Sequence, residues 1–262
     1  MNFKISKFNP FCKTINIPHA FAWEKVSDLK NRKGIVKALD YGAYDGSLLD
    51  TMSKSDIVVD SISVDLNFEI VTANEKQKEK NNKLIHIVKN TELPFESESF
   101  DVVLLIGVLE HVHEQERLLF ELNRVLKKDG EFIIAVPGKH IFSFLDFGNW
   151  KFIFPKIHKA YVELFYGKEF YFQRFIECSN GLIGDIEVEK KWHEHFSHKK
   201  LKRILNRTGF EVIEQDGFGL FYRIFHNIKH FLTSLSGFFD QLIMIDGALF
   251  SKAEIFARAK KK

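Results

Sequence analysis

The run Val36-Lys37-Ala38-Leu39-Asp40-Tyr41-Gly42-Ala43-Tyr44-Asp45-Gly46-Ser47-Leu48-Leu49 constrains this chain more than any other stretch. An apolar strand leads into an acid, a glycine-bearing turn and the start of a helix. Glycine accepts positive φ and lets a ligand approach the backbone. A helix N-terminus offers unpaired N–H groups at the positive end of its dipole. A strand, tight turn and helix near the front of a domain is how open α/β sheets build a nucleotide site. The chain then keeps that rhythm. Strands are expected at Val36–Asp40, Ser61–Asp65, Lys83–Ile87, Phe100–Ile106 and Glu131–Val136, with helices over about 46–54, 68–80 and 114–126. The fourth strand is apolar almost throughout, which suits a central strand covered on both faces. Leu118, Leu119, Leu122, Val125 and Leu126 recur at helical spacing, and Lys127-Lys128-Asp129-Gly130 reads as the stop of that helix. Such alternation predicts an α/β fold with a mostly parallel sheet and crossover helices.

Bulk properties narrow the function classes. A chain of 262 residues, 45% hydrophobic and 28% charged, can bury one large core, and residues 1–262 are expected to form a single domain. A net charge of +3 falls well short of a dedicated nucleic-acid binder, so no nucleic-acid partner is expected. Cys12 and Cys178 stand at no metal-ligand spacing, which argues for a reducing, cytoplasmic setting. No signal-like apolar run opens the chain, and no stretch of about 18 apolar residues occurs. Residues 1–33 read as a lead-in with a short helix over about 20–29, packed on the sheet or capping the ligand site.

Dinucleotide-binding turns carry G-x-G-x-x-G. Here the glycines are Gly42 and Gly46, with Tyr44 between them. The run instead resembles motif I of the class I S-adenosylmethionine-dependent methyltransferases, D/E-x-G-x-G-x-G, with Asp40, Gly42 and Gly46 in place and Tyr44 at the central glycine. Further segments resemble the same family, in particular its type 11-like small-molecule enzymes. Leu93-Pro94-Phe95 with Ser99-Phe100-Asp101-Val102-Val103 is similar to the stretch leading from the adenine loop into the fourth strand. Leu109-Glu110-His111 resembles the segment beneath the cofactor, and Arg124-Val125-Leu126-Lys127-Lys128-Asp129-Gly130 the approach to the fifth strand. Trp192-His193-Glu194-His195-Phe196-Ser197, with Leu201, Leu205 and Gly209-Phe210, is similar to the family's C-terminal tail.

The resemblance implies a Rossmann-like seven-stranded sheet in the order 3-2-1-4-5-7-6, its last strand antiparallel, and S-adenosyl-L-methionine as cofactor. It implies that Asp40, Gly42, Ala43, Tyr44 and Gly46 line the methionine and ribose side, with Asn90 and Thr91 at the adenine and Ile106 and Gly107 under the sulfonium. Asp65, followed by Leu66, ends the second strand, where an acid can accept both ribose hydroxyls. Methyl transfer needs an acceptor held in line, much of it a matter of positioning, and an acceptor hydroxyl also needs a base. Candidates near the carboxyl ends of the fourth and fifth strands are Glu110, His111 and His140, with a structural anchor as the competing role for His111. Some related quinone O-methyltransferases hold a divalent metal around this segment. Glu110 and His111 could supply part of such a site, and His113, His193, His195 and His198 could add to it, but no two helical histidines have convincing ligand spacing, so no metal is expected.

From residue 139 to 190 the rhythm gives way to an aromatic-rich insertion, expected to cap the substrate. A helix over 198–208, a strand at 210–213 and a last strand at 253–259 follow. Between them, 218–245 reads as one amphipathic segment, with Phe221, Ile224, Phe225, Ile228 and Phe231 on one side and Arg223, His226, Lys229 and His230 on the other. Such a segment packs across the domain or makes peripheral contact with an anionic membrane. The expected function is methyl transfer to a small molecule, a sugar, quinone or lipid-linked intermediate, most simply at oxygen. The rivals are a non-catalytic adenosyl-binding or assembly protein of the same fold and a nicotinamide-dependent oxidoreductase.

Overall fold

The apolar runs of the alternating region pair side by side, as their burial on both faces requires. A computed structural model describes residues 3–262 other than 7, 13, 67–70, 73, 75–81, 88–91, 146 and 173–192. Its strands are β1 (Ala38–Tyr41), β2 (Ser61–Asp65), β3 (Asn82–His86), β4 (Phe100–Ile106), β5 (Leu126–Pro137), β6 (Phe210–Phe218) and β7 (Glu254–Lys261). They form one sheet in the order β3-β2-β1-β4-β5-β7-β6. The first five pair in parallel, while β7 runs antiparallel to both β5 and β6. Order and polarity are those the resemblance implied.

Side chains alternate across these strands, and two apolar layers result. Leu39, Val103, Leu105, Phe132 and Ile134 face α3 (Gln115–Val125) and α7 (His198–Arg207). Ala38, Val102, Leu104, Ile133 and Phe256 face α1 (Ile17–Lys33) and α2 (Ser47–Lys54). The lead-in helix therefore packs on the sheet and is longer than expected. Asn16 opens it by accepting the His19 amide, Pro18 occupies its first turn, and the Phe21 ring stacks on Phe256 at 4.6 Å. Its start also lies close to the glycine-bearing turn: the Asp45 charge acts on His19, whose pKa burial pushes down to about 4.

Three expectations are corrected. The helix over 114–126 ends at Val125; Leu126 is already extended, and Lys127–Gly130 belong to β5. A register shift between Phe100 and Val102 accommodates them, and Lys127 pairs with Asp101 at 2.9 Å instead of capping a helix. The strand at 210–213 continues to Phe218, because β7 offers it a partner along its whole length. The segment 218–245 is not one helix. After β6 come α8 (Tyr222–Phe231), a 3-10 turn (Thr233–Leu235) and α9 (Ser236–Leu249). Of the expected helix over 68–80, only residues 71, 72 and 74 are described.

The described part of the insertion is helical: a 3-10 turn (Ser143–Leu145), then α4 (Phe147–Ile153), α5 (Pro155–Tyr166) and α6 (Lys168–Phe172). It leaves the sheet at the carboxyl end of β5, the end at which open-sheet sites form. No helix among the described residues is long and apolar enough to cross a membrane.

Candidate active site

The turn after β1 takes a path that only its own contacts can hold. Gly42, Tyr44 and Gly46 all sit in the left-handed region, at φ 75°, 53° and 69°. Tyr44 thus keeps the conformation of the glycine it replaces, which strains a bulky residue. Asp65 compensates: its Oδ2 accepts the Tyr44 amide at 2.7 Å, across from the end of β2. The Gly42 and Ala43 amides both donate to the Val64 carbonyl, at 2.9 and 3.0 Å. A Cβ on Gly42 would stand 2.3 Å from a Val108 methyl, so this position is closed to any side chain. Gly46 then starts α2, and Asp45 accepts the Ser47 amide at 2.9 Å.

Beside the turn lies a cleft lined by Tyr41, Gly42, Asp65, Leu66, Ile87, Val108 and Val112. Its walls are largely apolar, and among them stands the Asp65 carboxylate, an acceptor of the kind ribose hydroxyls need. Asp40 lies beneath, 3% exposed. Burial first, and then the Asp65 and Asp45 charges, push its carboxyl up to about 7. Asn90 and Thr91, expected at the adenine, lie outside the described residues.

Ile106 ends β4, and Gly107 follows it with φ 68°. The space over the Gly107 α-carbon opens toward Glu110, whose Oε1 would be 3.7 Å from a Cβ there. Glu110 sits in the 3-10 turn Leu109–His111 and is 2% exposed. Burial opposes its ionisation, but the neighbouring His193 and His111 rings and their charges hold its carboxyl below the usual range. Its Oε1 lies 3.7 Å from His193 Nε2, while its Oε2 is buried without a hydrogen-bond partner among the described residues. The rings of His111 and His193 are 4.7 Å apart, and that of His195 stands 5.6 Å beyond His193.

Ligand atoms of Glu110, His111 and His193 all fall within 4.8 Å of one another. Such a group can share a proton or hold a divalent ion. The expectation of no metal rested on spacing within helices, which cannot register His193 approaching from the far part of the chain. His140 does not join the group: it sits in the turn after β5, where its Nδ1 accepts the Phe142 amide at 3.3 Å.

Sequence reasoning missed what holds His193. Asn149 of α4 donates to the His193 carbonyl and accepts the His193 amide, both at 2.9 Å. Asn149 is itself buried, so the insertion is clamped to the segment that carries the histidine. From the other side, Gln115 donates to the Leu109 carbonyl at 2.9 Å and to Glu194 at 2.7 Å. The family-like tail marked His193 as a position of interest; nothing in the local sequence marks Asn149.

Comparison with known proteins bears on the domain and the fold. Residues 39–134 match the family model described as a methyltransferase domain. An uncharacterized protein of Methanocaldococcus jannaschii is 27% identical over 177 residues, 67% of this chain and 61% of the relative. The mitochondrial ubiquinone biosynthesis O-methyltransferase of Candida albicans is 28% identical over 116 residues, 43% of this chain and 34% of that protein. The matches thus span less than two thirds of the length of these curated relatives. Among solved structures, 1,6-didemethyltoxoflavin-N1-methyltransferase of Burkholderia thailandensis, with 1,6-didemethyltoxoflavin and S-adenosylhomocysteine bound, aligns at a TM-score of 0.53. It is 13% identical, and the alignment covers 92% of this chain and 78% of that one. Motif I, the strand order and the domain match agree: residues 39–134 are similar to a methyltransferase domain, on a sheet ordered as the resemblance to the class I S-adenosylmethionine-dependent methyltransferases implied.

Proposed function

We propose that this protein transfers a methyl group from S-adenosylmethionine to a hydroxyl of a small-molecule acceptor. The observation that carries the reading is the buried Glu110–His193 pair next to Gly107, at the carboxyl end of β4. A carboxylate held ionised against an imidazole raises the basicity of that ring and fixes its orientation. The pair suits removal of a proton from an acceptor hydroxyl, which a nitrogen or sulfur acceptor needs less. Similarity to a ubiquinone O-methyltransferase supports the same acceptor atom and favours a quinol-like or other lipid-soluble acceptor over a sugar.

The cofactor, when bound, supplies an electrophilic methyl on a sulfonium. This chain's residues do the rest. The turn at 42–46 and the Asp65 carboxylate hold the nucleoside side, with Asp65 able to keep the Tyr44 amide on one oxygen and take a hydroxyl on the other. Val108 and Val112 exclude water from the floor. His193, oriented by Glu110 and by the Asn149 clamp, takes the acceptor proton.

Calorimetric titration with S-adenosylhomocysteine, followed by a labelled-methyl screen over catechol, quinol and sugar acceptors, tests the reading. Binding lost in Asp65→Ala is expected. In His193→Ala, turnover is expected to fall by about 10²–10⁴, the usual contribution of a general base, with cofactor binding unchanged. Folded protein that fails to bind S-adenosylhomocysteine would sink the catalytic reading and leave the assembly-protein rival.

A further inference from the structure

The helix α9 is held in one orientation by its buried side. Phe239, Ile243, Asp246 and Gly247 are its buried positions. A Cβ on Gly247 would stand 2.1 Å from the Phe218 ring of β6, and Asp246 Oδ2 accepts the Leu220 and Phe221 amides, both at 2.9 Å. These contacts fix the rotation of the helix about its axis. Its outer side is nonetheless apolar. Leu235 (50% exposed), just before the helix, Phe238 (57%), Ile245 (55%) and Leu249 (65%) stand in solvent, with partly buried Leu242 between them. Positions 235, 238, 242, 245 and 249 recur at alternating intervals of three and four, so they form one continuous stripe along the helix. Exposed Gln241, Met244 and Ala248 widen it.

Spacing and charge identify the occupant. Apolar residues at alternating intervals of three and four are what two helices need to pack seam to seam. The helix carries no lysine or arginine, and neither of its acids lies on the stripe: Asp240 pairs with Lys229 of α8, and Asp246 is buried. Two copies related by a two-fold axis can therefore meet here with no charge facing its own image. A helix lying on a bilayer instead sets cations beside its apolar face, and α9 has none. At a side-chain area of about 200 Å² each, the exposed fractions of Leu232, Leu235, Phe238, Met244, Ile245 and Leu249 amount to roughly 600 Å² per copy, most of the about 800 Å² per partner that a stable interface buries.

We propose that α9 is the seam of a two-fold homodimer, in which Phe238, Ile245 and Leu249 of each copy pack against the same stripe of the other. The seam lies beside the insertion: the Phe221 ring, at the start of α8, is 4.9 Å from that of Phe142 and 6.4 Å from that of Phe250, which follows α9. Pairing of α9 thus braces the helix pair against which the start of the insertion packs. The dimer stands or falls apart from the methyl-transfer reading, because neither the stripe nor its residues touch the cofactor cleft.

Analytical ultracentrifugation of the full chain is the test. A concentration-dependent dimer is expected, with a dissociation constant on the order of micromolar or tighter. Phe238→Glu and Ile245→Glu should each weaken it by roughly tenfold or more, as a charge enters an apolar seam. Both positions are exposed in the single chain, and an unchanged circular dichroism spectrum checks that each variant is folded. Gln241, beside the midpoint of the stripe, supplies an independent readout. Gln241→Glu and Gln241→Lys should each weaken self-association, and an equimolar mixture of the two should restore it, because only a face that meets itself brings the two charges together. A chain that stays monomeric at about 100 µM overturns the proposal. So does a dimer untouched by Phe238→Glu and Ile245→Glu, and so does a mixture no tighter than its parts. A monomer that floats with vesicles of phosphatidylcholine and phosphatidylglycerol, and ceases to in Ile245→Glu, assigns the stripe to a bilayer and overturns the dimer as well.

Discussion

At the scale of single residues, the site is governed by what buried carboxylates are allowed to do. Asp40 sits under the turn with its carboxyl raised to about 7 by burial, Asp65 and Asp45, against 3.8 when free. In the unfolded chain it ionises near its ordinary value, so its neutral form contributes fully below about pH 4. That contribution is lost as pH climbs through the folded value near 7. The penalty at pH 8 is on the order of a few kcal/mol. Asp40→Asn is therefore expected to match the wild type in thermal unfolding at pH 4 and to exceed it at pH 8. The order reverses with ligand. A cationic cofactor favours the ionised carboxylate, so S-adenosylmethionine should raise the wild-type melting temperature at pH 8 by more than that of Asp40→Asn. Equal shifts in both proteins would remove Asp40 from the cofactor site. Residue-level reading of the sequence went far here because motif I is local: Asp40, Gly42 and Gly46 all fall at the turn. It stopped at Tyr44, since its left-handed backbone depends on a hydrogen bond to Asp65, 21 residues away.

Among elements, legibility followed how far each depended on its neighbours. The strands β1, β2 and β4 announced themselves through apolar runs that need no partner to be recognised. The stop of α3 was misread because Lys127–Gly130 has the chemistry of a helix end, yet β4 and β7 draw those residues into β5. The 218–245 stripe was misread for a related reason: Phe218 serves β6, and the stripe restarts after the 3-10 turn at Thr233–Leu235. Of the site's three clustered groups, Glu110 and His111 were legible from their segment, but their meeting with His193 is tertiary. The clamp makes that meeting testable. Asn149→Ala removes both hydrogen bonds to the His193 backbone. Under the proposed function, kcat is expected to fall about tenfold or more, with its pH profile displaced as His193 loosens from Glu110, and cofactor affinity unchanged. Asn149→Asp keeps the acceptor and should recover part of the loss. A variant that loses thermal stability but keeps the wild-type pH profile would make the clamp purely structural.

For the whole molecule, the decisive feature is that the end of the chain completes the middle of the sheet. β7 inserts between β5 and β6, and a buried carboxylate secures it there. Glu131 of β5 is inaccessible to solvent. It takes a bidentate pair from Arg258 of β7, at 2.7 and 2.9 Å, and a third contact from Arg32 of α1 at 2.8 Å. Burial alone would raise its carboxyl, but the two guanidinium groups hold it below the usual range. Its contribution is therefore present above the free value and lost in the acid arm, as pH falls through the folded one. The three contacts join the lead-in helix, the cofactor half and the last strand, which no local pattern could foretell. A buried ion pair need not add net stability, since desolvation offsets its attraction; removing one partner is what costs. Glu131→Ala is expected to lose about 1.5–3 kcal/mol in denaturant unfolding, because half-buried Arg258 loses its bidentate partner and keeps only Glu214, 3.7 Å away. The double change Glu131→Met/Arg258→Leu should recover most of that loss. If the double variant proves as unstable as Glu131→Ala, the network is a net source of stability. The union of β5 with β7 then rests on charge pairing more than on the apolar layers around it.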